Sequence, residues 1–276
     1  MNREMKASAW RQIWVLAGRN VGAGLTHPFF HGALSLGLLG GVLLLTNQLN
    51  ALADSGLLVL DDPLLLPLIT VALVIGVYTA FNSAFRVAGE RESGTLTVLC
   101  FGPVDELIYL AAQWLEQVVI YSGGIGGGLL ILGVAALMLG LPFSPLLAGA
   151  AGLSLLLGLC LGAVGLVAAA LTSRIRTAFW VMLSIFGLFF GLQFGVLLLR
   201  AAAGAGPALI PIRDGLEWAL RLIKMASPFS YFLKGIEGLQ MGKTGPLLGA
   251  VFSSLAFAAA LFGAAVAALR RKEVRR

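Results

Sequence analysis

Apolar residues run along this chain in long unbroken blocks rather than in alternation with polar ones. Five stretches free of Asp, Glu, Lys and Arg, namely Phe29 to Ala53, Leu64 to Phe85, Gln117 to Ser173, Thr177 to Leu199 and Thr244 to Leu269, can each supply the roughly 20 apolar residues that a helix needs to cross a bilayer. The third is too long for one crossing, and the turn residues Leu141-Pro142-Phe143-Ser144-Pro145 divide it in two. The pattern therefore predicts six transmembrane helices near residues 29–53, 64–85, 118–140, 146–172, 178–199 and 246–269. Strands are not expected, because the runs are continuous and rich in Leu, Ala and Gly, whereas a helix satisfies its own backbone within lipid. The expected fold is an all-α integral membrane protein, with a transmembrane domain over 29–276 behind an N-terminal segment over 1–28.

That leading segment has the periodicity of an amphipathic helix lying on the membrane surface. Trp10, Ile13, Trp14, Ala17 and Val21 share one face, and Glu4, Ser8, Arg11 and Arg19 fall opposite. The pattern favours an interfacial anchor, with a docking surface for a cytoplasmic partner as the functional alternative. A second polar region runs from Arg86 to Glu116, too long for a tight turn. Its first part, Gly89-Glu90-Arg91-Glu92-Ser93-Gly94-Thr95-Leu96, is the most charged patch in the chain; Phe101-Gly102-Pro103-Val104 is a break; Asp105-Glu106 opens a new helix with acidic residues in its first turn. Composition alone also allows a plain solvated loop here. Between the fifth and sixth spans, Asp214 to Met225 predicts an amphipathic helix capped by Asp214, ended by Ser227-Pro228-Phe229 and followed by a short helix over Tyr231 to Leu239.

Composition agrees with a membrane protein: 59% of residues are hydrophobic and only 12% charged, against about 25% charged in a soluble domain. The net charge of +6 needs no nucleic acid to explain it, since the basic residues sit beside the spans. Arg3, Lys6, Arg11 and Arg19, then Arg86 and Arg91, then Arg174 and Arg176, and five basic residues at the C-terminus mark one side, so both termini are expected in the cytoplasm. The loop from Arg200 to Lys243 carries six basic residues on the other side, against this trend, but long loops weigh little in the rule. The first span follows a 28-residue polar lead, which is not the form of a cleaved signal. Glycines recur as Gly123-Gly124-Ile125-Gly126-Gly127-Gly128 and as Gly187, Gly191 and Gly195, spacings that permit close helix packing within the chain or against a second copy.

Several chemistries are not supported. No predicted span has an interior Asp, Glu, Lys or Arg, which disfavours an ion-coupled carrier or channel. His27 and His31 lack the further ligands a metal needs, and Cys100 and Cys160 fall where no disulfide between them is expected. Gly242-Lys243-Thr244 lacks the earlier glycine of a phosphate-binding loop, Glu237 standing in its place. No catalytic constellation is apparent.

The stretch Glu90-Arg91-Glu92-Ser93-Gly94-Thr95-Leu96-Thr97-Val98-Leu99, followed by Gly102-Pro103-Val104, resembles the E-x-E-x-G-T-L segment of ABC-2 type permeases, the membrane subunits of ATP-binding cassette transporters. The amphipathic lead, six spans and Ser227-Pro228-Phe229-Ser230-Tyr231 in the loop before the last span extend the likeness along nearly the whole chain. The resemblance implies a non-catalytic half-transporter in the inner membrane, paired with a second copy or similar permease and exporting a hydrophobic or amphipathic substrate. It implies two copies of a cytoplasmic ATPase subunit as partners, with ATP and Mg bound there and no cofactor on this chain. Glu90 to Leu99 would then be a coupling helix, in which Glu90, Arg91, Glu92, Ser93, Gly94, Thr95 and Leu96 meet the ATPase together with Trp10, Arg11 and Trp14 of the lead. The second and fifth spans would flank the central cavity, with Phe81, Asn82, Gln193 and Phe194 as lining. The alternatives are a non-transporting scaffold or force-transmitting anchor on the same loops, and a secondary carrier.

Overall fold

The computed structural model describes residues 3–55, 62–96, 98, 105–141, 143–201, 210–225 and 227–273. Among them nine helices follow one another: α1 Arg3–Leu25, α2 Pro28–Ser55, α3 Leu65–Glu92, α4 Glu106–Leu139, α5 Pro145–Leu171, α6 Ile175–Ala201, α7 Ile210–Met225, α8 Pro228–Gln240 and α9 Thr244–Glu273. Six of these, α2, α3, α4, α5, α6 and α9, are long and apolar enough to span a membrane, and no described residue is in a strand. The protein is an all-α, six-span membrane protein. Cys100, Phe101-Gly102-Pro103-Val104 and the side chain of Gln193 lie outside what is described.

The helices run past the ends of the apolar blocks. α3 continues beyond Phe85 to Glu92, and α4 already begins at Glu106, so much of the region that reads as a long loop is helix. Polar residues do not stop a helix if they fall on one stripe: Asn82, Arg86 and Glu90 recur at every fourth position of α3, as do Tyr109, Gln113 and Gln117 of α4. α7 likewise starts at Ile210, which places Asp214 inside the helix and not at its cap.

The centre of the bundle is the pair α3 and α5. In their most apolar stretches 56% and 72% of residues are buried, against 22% in α2 and α9 and 17% in α6, which therefore present most of their surface to lipid or to another chain. Glycine makes the central approach possible. A Cβ at Gly165 of α5 would overlap the Ala80 carbonyl of α3 and lie 2.8 Å from Ser83 Cβ, and Ser83 Oγ donates to the Gly162 carbonyl at 3.3 Å across the same crossing. The ring of Tyr121 from α4 lies over Gly158 and its hydroxyl donates to the Ala72 carbonyl at 3.3 Å. Gly124 and Gly128 of α4 receive Ile75 and Val71. Gly187 and Gly191 of α6 differ, for nothing lies within 4 Å of a Cβ built on either.

We call basal the face where α3, α5 and α9 end and α4 and α6 begin, and distal the opposite one. α8 lies antiparallel to the first half of α9: Gly238 meets Leu247, Gly235 meets Ala250, and Tyr231 meets Phe257. At 1.5 Å per residue α8 is about 20 Å long, so its first turn reaches roughly the middle of the bilayer, where Phe229 packs on Phe186, Phe189 and Phe190 of α6. Its start, Ser227 and Pro228, is buried, as non-helical backbone at that depth must be.

Gly165→Ala should destabilise the protein by about 1–3 kcal/mol, because the added methyl meets a backbone carbonyl that cannot move aside. Gly152→Ala, with nothing within 4 Å of the new atom, should leave thermal unfolding in detergent unchanged or slightly raised.

Candidate functional site

The last turn of α3 carries Glu90, Arg91 and Glu92, and each reaches a different helix. Glu90 Oε2 accepts the Tyr109 hydroxyl of α4 at 2.6 Å. Arg91 Nη1 donates to the carbonyls of Ala170 and Thr172, at 3.3 and 3.1 Å, at the C-terminal end of α5. Those carbonyls have no partner within their own helix, and a cation there is favoured by the helix dipole. Glu92 Oε2 accepts the backbone N–H of Ile175, the first residue of α6, at 2.9 Å, the complementary use of an anion at a helix N-terminus. The three charged residues thus tie α3 to α4, α5 and α6 at the basal face.

Beyond them the chain bends. Gly94 has φ +76°, and no atom lies within 4 Å of a Cβ built there, so its role is conformational and not one of close approach. Ser93 Oγ lies 2.9 Å from Thr95 Oγ1, which closes the turn locally. Leu96 is buried beside Val87, Tyr109 and Leu110 and pins the following turn to the bundle. Ser93 and Thr95 are exposed, and Val98 stands 72% exposed. A short basal knob results, anchored by charges and by Leu96, with small polar groups and one apolar side chain outermost.

α1 packs along α4. Ala17 and Gly24 are buried, and a Cβ at Gly24 would lie 3.2 Å from Ile120 Cγ1 and 3.9 Å from Glu116 Oε1. Arg19 and Asn20 of α1 share a small crevice with Glu90, Tyr109 and Gln113, so the lead helix and the basal knob are neighbours. Ile13 and Val21 are half-buried. Trp10 and Trp14, in edge contact at 6.1 Å, are 60% and 49% exposed, and Arg11 is exposed beside them.

Three rungs join α3 to α4 inward from the basal face. The first is Glu90 with Tyr109. The second is an ion pair of Arg86 with Glu116, whose carboxylate is fully buried. The third is Asn82 Nδ2 donating to Gln117 Oε1 at 3.1 Å. Sequence reading missed Arg86 and Glu116 as interior residues because it ended the spans at the last uncharged position; the four-residue register of Arg86 with Asn82 and Glu90, and the place of Glu116 three after Gln113 and seven after Tyr109, were the signals that could have found them. Glu116 Oε2, Gln113 Nε2 and Gln117 Nε2 have no protein partner, a polar interior of the kind that retains water.

Asn82 and Phe81 also border a groove of about 480 Å3 on the flank of α3, whose walls are completed by Tyr78, Phe85 and Arg86 and by His27 and Phe29 from the α1–α2 junction. Phe194 is exposed and does not border it. On the opposite side of Phe81 an aromatic row links α3 to α6: Phe81 stacks on Phe186 at 5.6 Å, and Phe85 and Phe179 lie 6.2 Å apart.

Among the described residues, the end of α3 fastened to α4, α5 and α6, the short knob beyond it and the central crossing of α3 with α5 form one membrane-spanning bundle. Comparison with known families agrees. The chain belongs to the ABC-2 family of transporter proteins, whose family description matches residues 30–274 and so takes in all six spans. No curated protein matches it.

Breaking the second rung from one side should cost more than removing it. Glu116→Leu alone should lower thermal stability by about 3 kcal/mol, the low end for breaking a buried pair because Arg86 is only half-buried, and Glu116→Leu with Arg86→Met should recover most of that loss. Equal loss in the single and double variants would refute the pairing.

Proposed function

We propose that the protein is the permease half of an ATP-binding cassette exporter, driven by two copies of a separate cytoplasmic ATPase subunit that binds ATP and Mg. The observation that carries this reading is the basal knob: a Gly94 bend standing on a turn whose three charges are each bonded to another helix. A load applied to such a knob passes to α4, α5 and α6 at once, which is what coupling to a motor requires. Glu92, Ser93, Thr95 and Val98 would meet the ATPase, with Trp10, Arg11 and Trp14 of α1 beside them. Glu90 and Arg91 would act chiefly as anchors, and Leu96 as the apolar pin.

The basal face is the cytoplasmic one in this reading, since Arg11, Arg19, Arg174, Arg176, Arg270 and Arg271 all belong to it. The membrane is the inner, cytoplasmic membrane. A second copy completes the pathway, and α6 is the surface that favours it, being the least buried span and carrying Gly187 and Gly191 without an intramolecular neighbour. Transport of a hydrophobic or amphipathic molecule suits the Phe-rich flank of α3. The half-buried Arg86 and the buried Glu116 neutralise one another, so they speak for a structural lock and not for an ion path.

Affinity purification of the tagged permease should recover an ATPase bearing Walker A and signature motifs, with vanadate-sensitive ATP hydrolysis. Val98→Asp should weaken that association by roughly thirtyfold, the effect of losing a central contact worth about 2 kcal/mol, while leaving membrane insertion intact. Recovery of no such ATPase would defeat the reading.

A further inference from the structure

The groove on α3 has a polar end and an apolar end, and coupling uses neither. At 1.5 Å per residue, Arg86 lies about 9 Å and Tyr78 about 21 Å from Glu92 along the α3 axis. The first level is that of the lipid headgroup boundary and the second is within the acyl region, since α3 exceeds the roughly 30 Å hydrocarbon core by several ångströms at each end. His27 lines the groove together with Arg86, and Phe29, Phe81 and Phe85 supply apolar wall. Phe29 is 74% exposed, so this wall opens sideways toward lipid.

The hydrogen-bonding groups are weighted toward donors. His27 Nδ1 accepts the Phe29 backbone N–H at 3.4 Å, which places the ring proton on Nε2. Arg86 commits Nη1 to Glu116 and keeps its other N–H groups. The Tyr78 hydroxyl is buried without a partner. Asn82 uses one of its two amide N–H groups on Gln117 and offers the other together with Oδ1. Four residues, His27, Arg86, Tyr78 and Asn82, can therefore donate, and two of them, Asn82 and Tyr78, can also accept. The charges near Arg86 come in opposed pairs, Arg86 and Arg19 against Glu90 and Glu116, so recognition would rest on donor geometry more than on net charge. An oxyanion such as phosphate is the group that uses several convergent donors.

We propose that this groove binds a phosphate-bearing amphipath from the basal leaflet, with the phosphate held between His27 and Arg86, the Tyr78 hydroxyl donating from the acyl side, and the tail along the phenylalanines. That the bound molecule is cargo rests on the permease reading; binding itself does not. The volume, about 480 Å3, suits a headgroup and the first part of a chain.

The test is native mass spectrometry of the full chain, released from detergent and titrated with phosphatidic acid, with diacylglycerol of the same chains, and with inorganic phosphate. One equivalent of phosphatidic acid should be retained, and the other two should bind at least about tenfold more weakly. Tyr78→Phe, which removes only a hydroxyl, and His27→Ala should each weaken phosphatidic acid binding about tenfold or more, the effect of losing a hydrogen bond to a charged group, at unchanged melting temperature. Equal binding of diacylglycerol would overturn headgroup recognition, equal binding of inorganic phosphate would reduce the groove to an ion site, and unaltered binding by both variants would place the lipid elsewhere. In the assembled complex, phosphatidic acid should raise ATP turnover. Intact binding with no change in turnover would overturn the cargo role and leave the permease assignment standing, whereas failure to recover an ATPase would overturn that assignment and leave the binding result standing.

Discussion

A carboxylate and a guanidinium taken out of water inside a helix bundle hold each other there, because each alone would carry a desolvation cost of several kcal/mol. Glu116 is wholly in that position and Arg86 largely so, and much of the surrounding arrangement follows from keeping them together. Their pairing fixes the register of α3 against α4, which in turn sets Glu90 opposite Tyr109 and Asn82 opposite Gln117. With that register set, Gly124 and Gly128 of α4 receive Ile75 and Val71 of α3. The remaining contacts of α3 are then made with α5, where Gly165 admits the Ala80 backbone.

The same helix connects two regions of different chemistry. At its basal end α3 is fastened by short-range hydrogen bonds to the ends of α5 and α6, and midway it borders the Phe-lined groove. A helix of 28 residues, stiff over a few turns and held by polar rungs along one side, moves as a unit, so displacement at one end is not absorbed along the way. α8 limits the other side of the bundle. It runs outward from mid-membrane beside α9, which the chain enters after turning back at Gly242 (φ +63°), and it fills the distal half of the space between α5, α6 and α9 with Phe229, Phe232 and Ile236.

Helix number and class were legible in the sequence because exclusion of charge over some 20 residues is a strong constraint with few other causes. Helix ends were not. The apolar run that identifies a span stops at the last lipid-compatible residue, whereas the hydrogen-bonded helix stops only where the backbone turns, at Gly94 for α3. Arg86 and Glu116 fell in the gap between those two definitions, and a pair 30 positions apart leaves no local trace of its contact. The segment from Glu90 to Leu96 stood out by its charge, but nothing in its composition says that Arg91 and Glu92 turn inward to helix ends contributed by residues near 170 and 175. The glycines show the same limit: spacing marks Gly124 and Gly187 alike, and only packing reveals that one is filled from within the chain and the other is open.

Gly24 sits where α1 comes down on Ile120 and Glu116. The absence of a side chain there means that the lead helix rests almost directly on the buried carboxylate, while Arg86, the other half of the pair, belongs to the helix that carries the knob. Two levers therefore bear on one latch from separate parts of the surface. The ion pair is thus held between two helices that reach the basal face separately, so a displacement of either one bears on it.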